Sequence, residues 1–321
     1  MGKRVFTKGQ ELERLLTTEY RIPLWCKFTK AVKTYELIQP GDHVCCCISG
    51  GKDSMVMALL LKHLQRYSDF PFEVTYLVMN PGYEDEHLNL IKENLEKMEI
   101  PARIVSTDIF QIAYAQTRSP CYLCAKMRRG ALYRIAKMWG CNKIALGHHY
   151  DDVIETTLMN MLNAGSFQTM LPKLPSTHYK GMEVIRPMYL IREEDIIAFG
   201  KENGIHFIRC ACRFTKGRDE GSLNSQRQAT KELIARLKAE YNPRVEKNIF
   251  AASGNVELDK ILGYSSQGEE HSFLQDYENK KNLQNEQIEA TSAEELAIEK
   301  ALREHRDFEI NDTYFDRYGG K

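Results

Sequence analysis

Six consecutive residues, Ser49-Gly50-Gly51-Lys52-Asp53-Ser54, combine two adjacent glycines, two hydroxyls and a lysine. Such a set can hold a phosphate: glycines let backbone N–H groups come close, hydroxyls donate hydrogen bonds, and the ammonium adds a point charge. The plain alternative is a Gly-Ser turn with a solvated lysine. The spacing is not that of a Walker A loop, which places four residues before its Gly-Lys pair and ends the pair with Ser or Thr. Asp53 falls where a helix would begin, a position that favours a carboxylate. There it can orient the loop or meet a magnesium ion.

Two further groups carry chemistry. Cys121-Tyr122-Leu123-Cys124 is a CxxC pair at a helix start, where thiol pKa values fall. Far along the chain lies Cys210-Ala211-Cys212. Structural zinc wants four ligands, a reducible dithiol wants two, and three thiolates on a [4Fe–4S] cluster leave one iron open; the spacing alone leaves all three readings standing. The last group is Gly147-His148-His149-Tyr150-Asp151-Asp152. Its histidines and carboxylates can bind magnesium, position a nucleotide or relay a proton, or Asp151 can simply cap the following helix. Cys45, Cys46 and Cys47 alternate faces on a strand and cannot form one chelate. Cys26 and Cys141 read as packing.

The elements that must position these groups follow from the apolar pattern. Val44–Ile48 reads as a buried strand before the Gly-rich turn, and Met55–Leu61 as a buried helix after it. Strands are expected at 72–79, 102–106, 143–146 and 183–186, and helices at about 84–98, 124–139, 151–162 and 192–201. Alternation at this spacing makes an α/β, doubly wound parallel sheet, whose ligands sit beyond the carboxyl ends of the strands. The Gly-rich turn, Asn80-Pro81-Gly82 and Gly147-His148-His149 all fall at such ends. Residues 1–40 are expected as an N-terminal helical segment, 41–210 as the main domain with the CxxC insertion, 211–264 as a basic helical region, and 265–321 as a loosely packed acidic tail.

Composition excludes little but points one way. The 44 Lys+Arg balance 44 Asp+Glu, yet from Ser265 onward 14 acidic residues face 7 basic ones, so residues 1–264 carry a positive excess suited to RNA. The candidate RNA contacts are Arg209, Arg213, Lys216, Arg218, Arg227, Lys231, Arg236, Lys238, Arg244 and Lys247, unless they merely pair with Glu232, Glu240 and Glu246. No apolar run approaches the ~20 residues that span a bilayer, and residues 1–6 lack a signal-peptide pattern, so a cytoplasmic protein without membrane contact is expected. Nine cysteines there argue against a disulfide framework.

The string SGGKDS resembles the PP-loop of the ATP pyrophosphatase superfamily. The segment from Cys121 to Tyr133, then Gly147 to Asp152, Glu155-Thr156, Asn160-Met161, Pro172-Lys173-Leu174 and Ile185-Arg186-Pro187 resemble, in order and spacing, TtcA, the tRNA 2-thiocytidine synthetase family. The resemblance implies the adenine nucleotide alpha hydrolase-like fold, ATP with Mg²⁺, and a [4Fe–4S] cluster on three cysteines. It also implies replacement of the 2-oxygen of cytidine 32 in tRNA by sulfur, with ATP split to AMP and diphosphate. Carried over by residue, it assigns Ser49, Gly50, Gly51, Lys52, Asp53, Ser54, Asn80, Gly147 and His148 to the nucleotide. Catalysis falls to Lys52, Asp53, Arg128, Asp151 and Asp152. The metal ligands are Cys121, Cys124 and Cys212, with Cys210 as substitute because this chain has CxC where the family has a second CxxC. Arg128 is expected to act electrostatically, since guanidinium is a poor proton donor. A sulfur donor such as a cysteine desulfurase and a homodimer are further implications. The competing readings are another PP-loop enzyme, of uridine thiolase or lysidine synthase type, and a nucleotide- and metal-binding sensor that does not turn over.

Overall fold

The computed structural model describes residues 6–115, 120–208 and 225–275, together with 277, 281, 282 and 300. The chain divides into two compact units, Met1–Gly254 and Asn255–Lys321.

In the first unit α1 (Lys8–Thr17) begins at a capping box formed by Thr7 and Gln10. A wide helical turn, Arg21–Cys26, carries the chain past Pro23 into α2 (Lys27–Thr34). The sheet then starts with β1 (His43–Ile48), and Gly51 caps α3 (Lys52–Tyr67). Residues Ser54 through Leu61 are all buried, so α3 is the central helix of the core. β2 (Glu73–Asn80), α4 (Asp85–Lys97) and β3 (Ala102–Ser106) extend the sheet to one side. Then α5 (Ile109–Tyr114) and α6 (Pro120–Met138) cross to the other side, to β4 (Lys143–Ala145). Next come α7 (Tyr150–Ala164), β5 (Lys173–Pro175), β6 (Glu183–Ile185) and α8 (Glu193–Glu202).

The six-stranded sheet has the order β3-β2-β1-β4-β6-β5. All neighbours are parallel except β5, which runs antiparallel to β6. The order reverses between β1 and β4, and the crevice of a doubly wound sheet lies at that switch. β5 escapes sequence reading because three residues ending in Pro show no strand period and Pro suits only an edge. Alternation along β1 works as expected: Cys45 and Cys47 enter one core cluster with Leu77 and Cys141, while Cys46 enters the other with Val44 and Ile48.

Helices α9 (Ser225–Arg236) and α10 (Val245–Ala252) pack on α7, with Tyr150 stacked on Phe250 at 4.5 Å. In the second unit β7 (Gly263–Ser266) and β8 (Glu269–Ser272) form an antiparallel hairpin, with Tyr264 stacked on His271. The expected loose tail beyond Ser265 therefore opens on ordered pairing. Local turn chemistry, Gln267-Gly268 with both φ positive, closes a hairpin that acidic composition conceals.

Candidate nucleotide site and the helix beside it

The loop between β1 and α3 is shaped by its own hydroxyls. Ser49 N–H donates to Ser54 Oγ (3.1 Å), Ser54 Oγ donates to Gly51 O (3.0 Å), and Gly51 N–H reaches Ser49 Oγ (3.4 Å). Gly50 has φ +85°, and a Cβ there would lie 2.7 Å from Ile91 and 2.9 Å from Ile208. The run Ile205–Ile208 covers this side of the loop, and Ile208 N–H donates to Gly50 O at 3.2 Å. Opposite, a Cβ on Gly147 would stand 3.1 Å from the backbone of Asp53 and Ser54. The β4 end and the first turn of α3 thus touch backbone to backbone.

These contacts enclose a cavity of about 320 Å³, lined by Cys47, Ile48, Ser49, Asp53, Ser54, Met79, Arg128, Leu132, Leu146, Gly147, His148 and Asp152. Four segments remote in sequence meet there, three of them at strand ends and the fourth on α6. Their wall is mixed: an apolar floor from Met79, Leu132 and Leu146, and a polar rim from the loop, His148 and Arg128. A flat base and its phosphate need that combination. Cys47, expected as strand core, also reaches this wall, at the carboxyl end of β1.

A second, polar cavity of about 190 Å³ adjoins through the shared residues Asp53 and Asp152, and adds Lys52, His149, Glu155, Glu193, Arg227, Gln228 and Lys231. Lys52 Nζ lies 3.2 Å from Asp53 and 3.0 Å from Glu193 Oε1. Burial works against its charge, but Asp53 and Glu193 carry its pKa above the ordinary lysine value. Burial likewise pushes Asp53 up, against the pull of Lys52 and His149. Its Oδ1 is buried and accepts no hydrogen bond of good geometry. Glu193 feels burial first, yet Lys231 and Lys52 beside it hold it at about 2. His148 is pushed down to about 4: burial leads, Asp152 opposes, and Arg186, Arg227 and His149 add to the depression. The ring is neutral at pH 7.

The adjacent acids part company. Asp152 faces both cavities, accepts the His149 N–H at 3.0 Å and pairs with Arg227 at 2.7 Å. Asp151 turns to α8: it accepts Glu193 N–H at 2.7 Å and pairs with Arg192 at 3.0 Å. It does cap a helix, but α8 rather than the α7 it belongs to. Asn80, expected at the nucleotide, spends its side-chain oxygen on Gly82 N–H (3.0 Å) and Tyr83 N–H (2.7 Å). That turn aims Tyr83 at the loop, where its hydroxyl donates to Ser49 O at 3.3 Å.

Helix α6 joins the thiol and phosphate chemistry. Cys124 lies in its first turns and Arg128 one turn later, on the same face, since residues four apart neighbour each other. Arg128 lines the 320 Å³ cavity, and Cys124 packs near Met79, Ile109 and Ala131. Tyr83 bridges them electrostatically: burial raises its pKa, Arg128 lowers it through charge and a hydrogen bond, and Cys124 raises it. Backbone residue Cys121 sits in the same first turn; its side chain, and Cys210, Cys212, Arg209, Arg213, Lys216 and Arg218, lie outside the described residues. Among described residues no three His, Cys, Asp or Glu side chains form a metal-binding group.

Of the expected RNA contacts that are described, three are exposed side chains held in ion pairs. Arg227 pairs with Asp152 and Glu155, Lys231 with Glu193, and Lys238 with Glu246 at 2.8 Å. Net basicity does not reveal which helix face packs on α7. Arg236, Arg244 and Lys247 are also exposed, and no ion pair among the described residues involves them. Glu193 and Tyr83 were not picked out from sequence. The run Glu193-Glu194-Asp195 reads as ordinary acid at a helix N-terminus, and Tyr83 as one residue beyond a Pro-Gly turn.

The parallel sheet, the switch-point cavity and the Ser-Gly-Gly loop define a nucleotide-binding PP-loop protein, and the sequence matches the PP-loop domain family over residues 25–212. Two relatives named tRNA-cytidine(32) 2-sulfurtransferase are similar over most of their length. The Geotalea uraniireducens protein is 36% identical, covering 73% of this chain and 93% of the relative; that of Geobacter sulfurreducens is 33% identical, covering 73% and 89%. The fold is also similar to the U34-tRNA thiolase NcsA from Methanococcus maripaludis with its [4Fe-4S] cluster, at TM-score 0.55 and 20% identity over 76% of this chain and 81% of that one. This chain belongs to the tRNA-cytidine(32) 2-sulfurtransferase family. No described helix is long and apolar enough to cross a membrane.

Proposed function

We propose that the protein is a cytoplasmic, ATP-dependent tRNA sulfurtransferase that replaces the C2 oxygen of a tRNA cytidine, at position 32, with sulfur. The observation that carries this reading is the position of α6: the helix that begins with the CxxC pair also puts Arg128 into the loop cavity. Activation and replacement of one oxygen need both chemistries at one place.

The C2 oxygen of cytidine leaves badly. Attack of that oxygen on the α-phosphorus of ATP makes it a phosphate ester and releases diphosphate; a sulfur nucleophile then adds at C2 and AMP departs. Catalysis of the first step is largely positioning and charge stabilisation. Loop amides of Gly50 and Gly51, the hydroxyls of Ser49 and Ser54, and Lys52 would hold the β and γ phosphates. Lys52 must leave Glu193 to do so. Arg128 would stabilise charge at the α-phosphate. Neutral His148 can accept or donate one hydrogen bond there. The buried Oδ1 of Asp53, which now faces only the Lys52 ammonium and the His149 ring, with Asp152 across the shared wall, would suit an oxygen-seeking Mg²⁺.

The thiol donors suit a soft metal, and a helix N-terminus favours thiolates. Cys121, Cys124 and Cys212, or Cys210 in its place, would hold a [4Fe–4S] cluster, which when bound supplies an open iron able to hold sulfide. Asp151 acts as a positioning residue, through Arg192 and α8. A cysteine desulfurase as sulfur donor and a homodimer complete the proposal.

The test is mass spectrometry of tRNA nucleosides from a strain lacking the gene and from the same strain complemented. Loss of 2-thiocytidine, restored by the wild-type gene but not by Lys52→Ala, is expected. Unchanged 2-thiocytidine in the deletion strain would overturn the proposal. A change confined to a thiolated uridine would favour the uridine-thiolase reading.

A further inference from the structure

Arg186 follows β6 directly, at the carboxyl end of the sheet, and its backbone is pinned by Arg186 N–H to Pro172 O at 2.9 Å. Its guanidinium is half-buried. One terminal nitrogen donates to the Leu171 carbonyl, while Nε is fully buried with no hydrogen-bond partner. No ion pair among the described residues involves it. Tyr189, Tyr133 and Asp152 lie within electrostatic reach, as does a second cation, Arg129; burial and Arg129 both work against its charge.

His148 stands at the same edge. Leu146 N–H donates to Ile185 O at 3.0 Å, so the chain leaving β4 toward His148 runs beside the chain leaving β6 at Arg186. The ring lines the 320 Å³ cavity, and its Nδ1 is also buried without a partner. Arg186 is one of the charges that depress it. Two orphaned polar atoms lie on adjacent strand ends, and among the described residues no carboxylate pairs with the guanidinium. Leaving a buried donor unsatisfied costs about 1–3 kcal/mol, and such a group in a native fold calls for an explanation, such as a water, an ion or a ligand.

We propose that Arg186 and His148 form an anion subsite at the rim of the nucleotide cavity that takes the oxygens of a phosphate ester. The inference rests on the nucleotide reading of that cavity and adds a ligand pair to it. Two sources share the chemistry: the α-phosphate of the nucleotide, carried into AMP, and a backbone phosphate of the RNA beside the target base. A planar guanidinium fits either, since it can donate two parallel N–H bonds to one phosphate.

The experiment titrates the full-length protein with AMP, with inorganic pyrophosphate, and with tRNA at several salt concentrations, comparing wild type, Arg186→Gln and Arg186→Lys. Pyrophosphate binds the loop and reports that the variant is folded. If the nucleotide phosphate is the ligand, Arg186→Gln weakens AMP tenfold to a hundredfold and pyrophosphate less than twofold, and Arg186→Lys falls between. If the RNA phosphate is the ligand, AMP affinity holds, and the slope of log K for tRNA against log salt becomes shallower by about 0.7–0.9. Either result supports the subsite. Unchanged AMP affinity together with an unchanged tRNA slope overturns it. A wild-type protein that binds neither AMP nor pyrophosphate contradicts the nucleotide reading instead, a result no Arg186 variant can produce. Should Arg186→Gln fail to fold, His148→Asn carries the same comparison.

Discussion

Asp151 and Asp152, neighbours in sequence, point their carboxylates at different helices: Asp151 meets Arg192 and the N–H of Glu193, whereas Asp152 meets Arg227 across the polar cavity. Successive residues on α7 differ by about 100° in direction, so one pair serves two tasks. Asp151→Asn is expected to cost about 2–3 kcal/mol of stability, because the half-buried Arg192 loses one of its two carboxylate partners, Glu246 being the other. Asp152→Asn is expected to leave the melting temperature within a few degrees and lower turnover about a hundredfold. Thermal unfolding beside single-turnover AMP formation separates the two.

Gly50→Ala is expected to abolish nucleotide binding. The residue has φ +85°, and its new Cβ would lie 2.7 Å from Ile91. The strain of a left-handed residue adds ~1 kcal/mol or more before any clash. Gly51→Ala is the control, since its Cβ would meet nothing closer than 3.6 Å and its φ is extended. Calorimetric titration with ATP should show loss for the first variant and modest weakening for the second.

The loop and its flanking elements were legible because strand, turn and helix each leave a local signature: an apolar run, adjacent glycines, a second apolar run. The cysteine spacing and the His-His-Tyr-Asp-Asp run were legible for the same reason. Tertiary partners were not. Glu193 lies 141 positions from Lys52, and only the crossing of α8 over α3 brings its carboxylate to that ammonium. Nothing local marks Arg227 as facing Asp152 rather than solvent. Nor does the sequence separate Asp151 from Asp152, because a helix N-terminus accepts acid on either face.

Arg227 and Lys231 are expected to act on the nucleotide, not on RNA. Their half-exposed ion pairs are weak, about 0–1 kcal/mol each, and can exchange when polyphosphate and metal enter. Arg227→Ala and Lys231→Ala should raise KM for ATP severalfold while leaving the salt slope of tRNA binding unchanged. Arg236→Ala, Arg244→Ala and Lys247→Ala should do the reverse, each flattening that slope by about 1. Filter binding at several salt concentrations decides.

Stability should fall as the solution is acidified, in two windows. His148 has its folded pKa, about 4, below the unfolded value, 6.5, so the unfolded chain binds the extra proton between them. Its contribution is full above pH 6.5 and is lost as pH falls to 4. Glu193, held at about 2 against 4.5, loses its contribution between pH 4.5 and 2. Urea midpoints at pH 7 and pH 5 should differ for wild type and differ less for His148→Asn.

The central claim is that the helix lining the nucleotide cavity also carries the iron centre. Iron and sulfide analysis of anaerobically purified wild-type and Cys124→Ser protein tests it most directly. About four irons and four sulfides per wild-type chain, with both lost in the variant, are predicted. Zinc in place of iron, or a Cys124→Ser protein that keeps its full iron and sulfide, would contradict it.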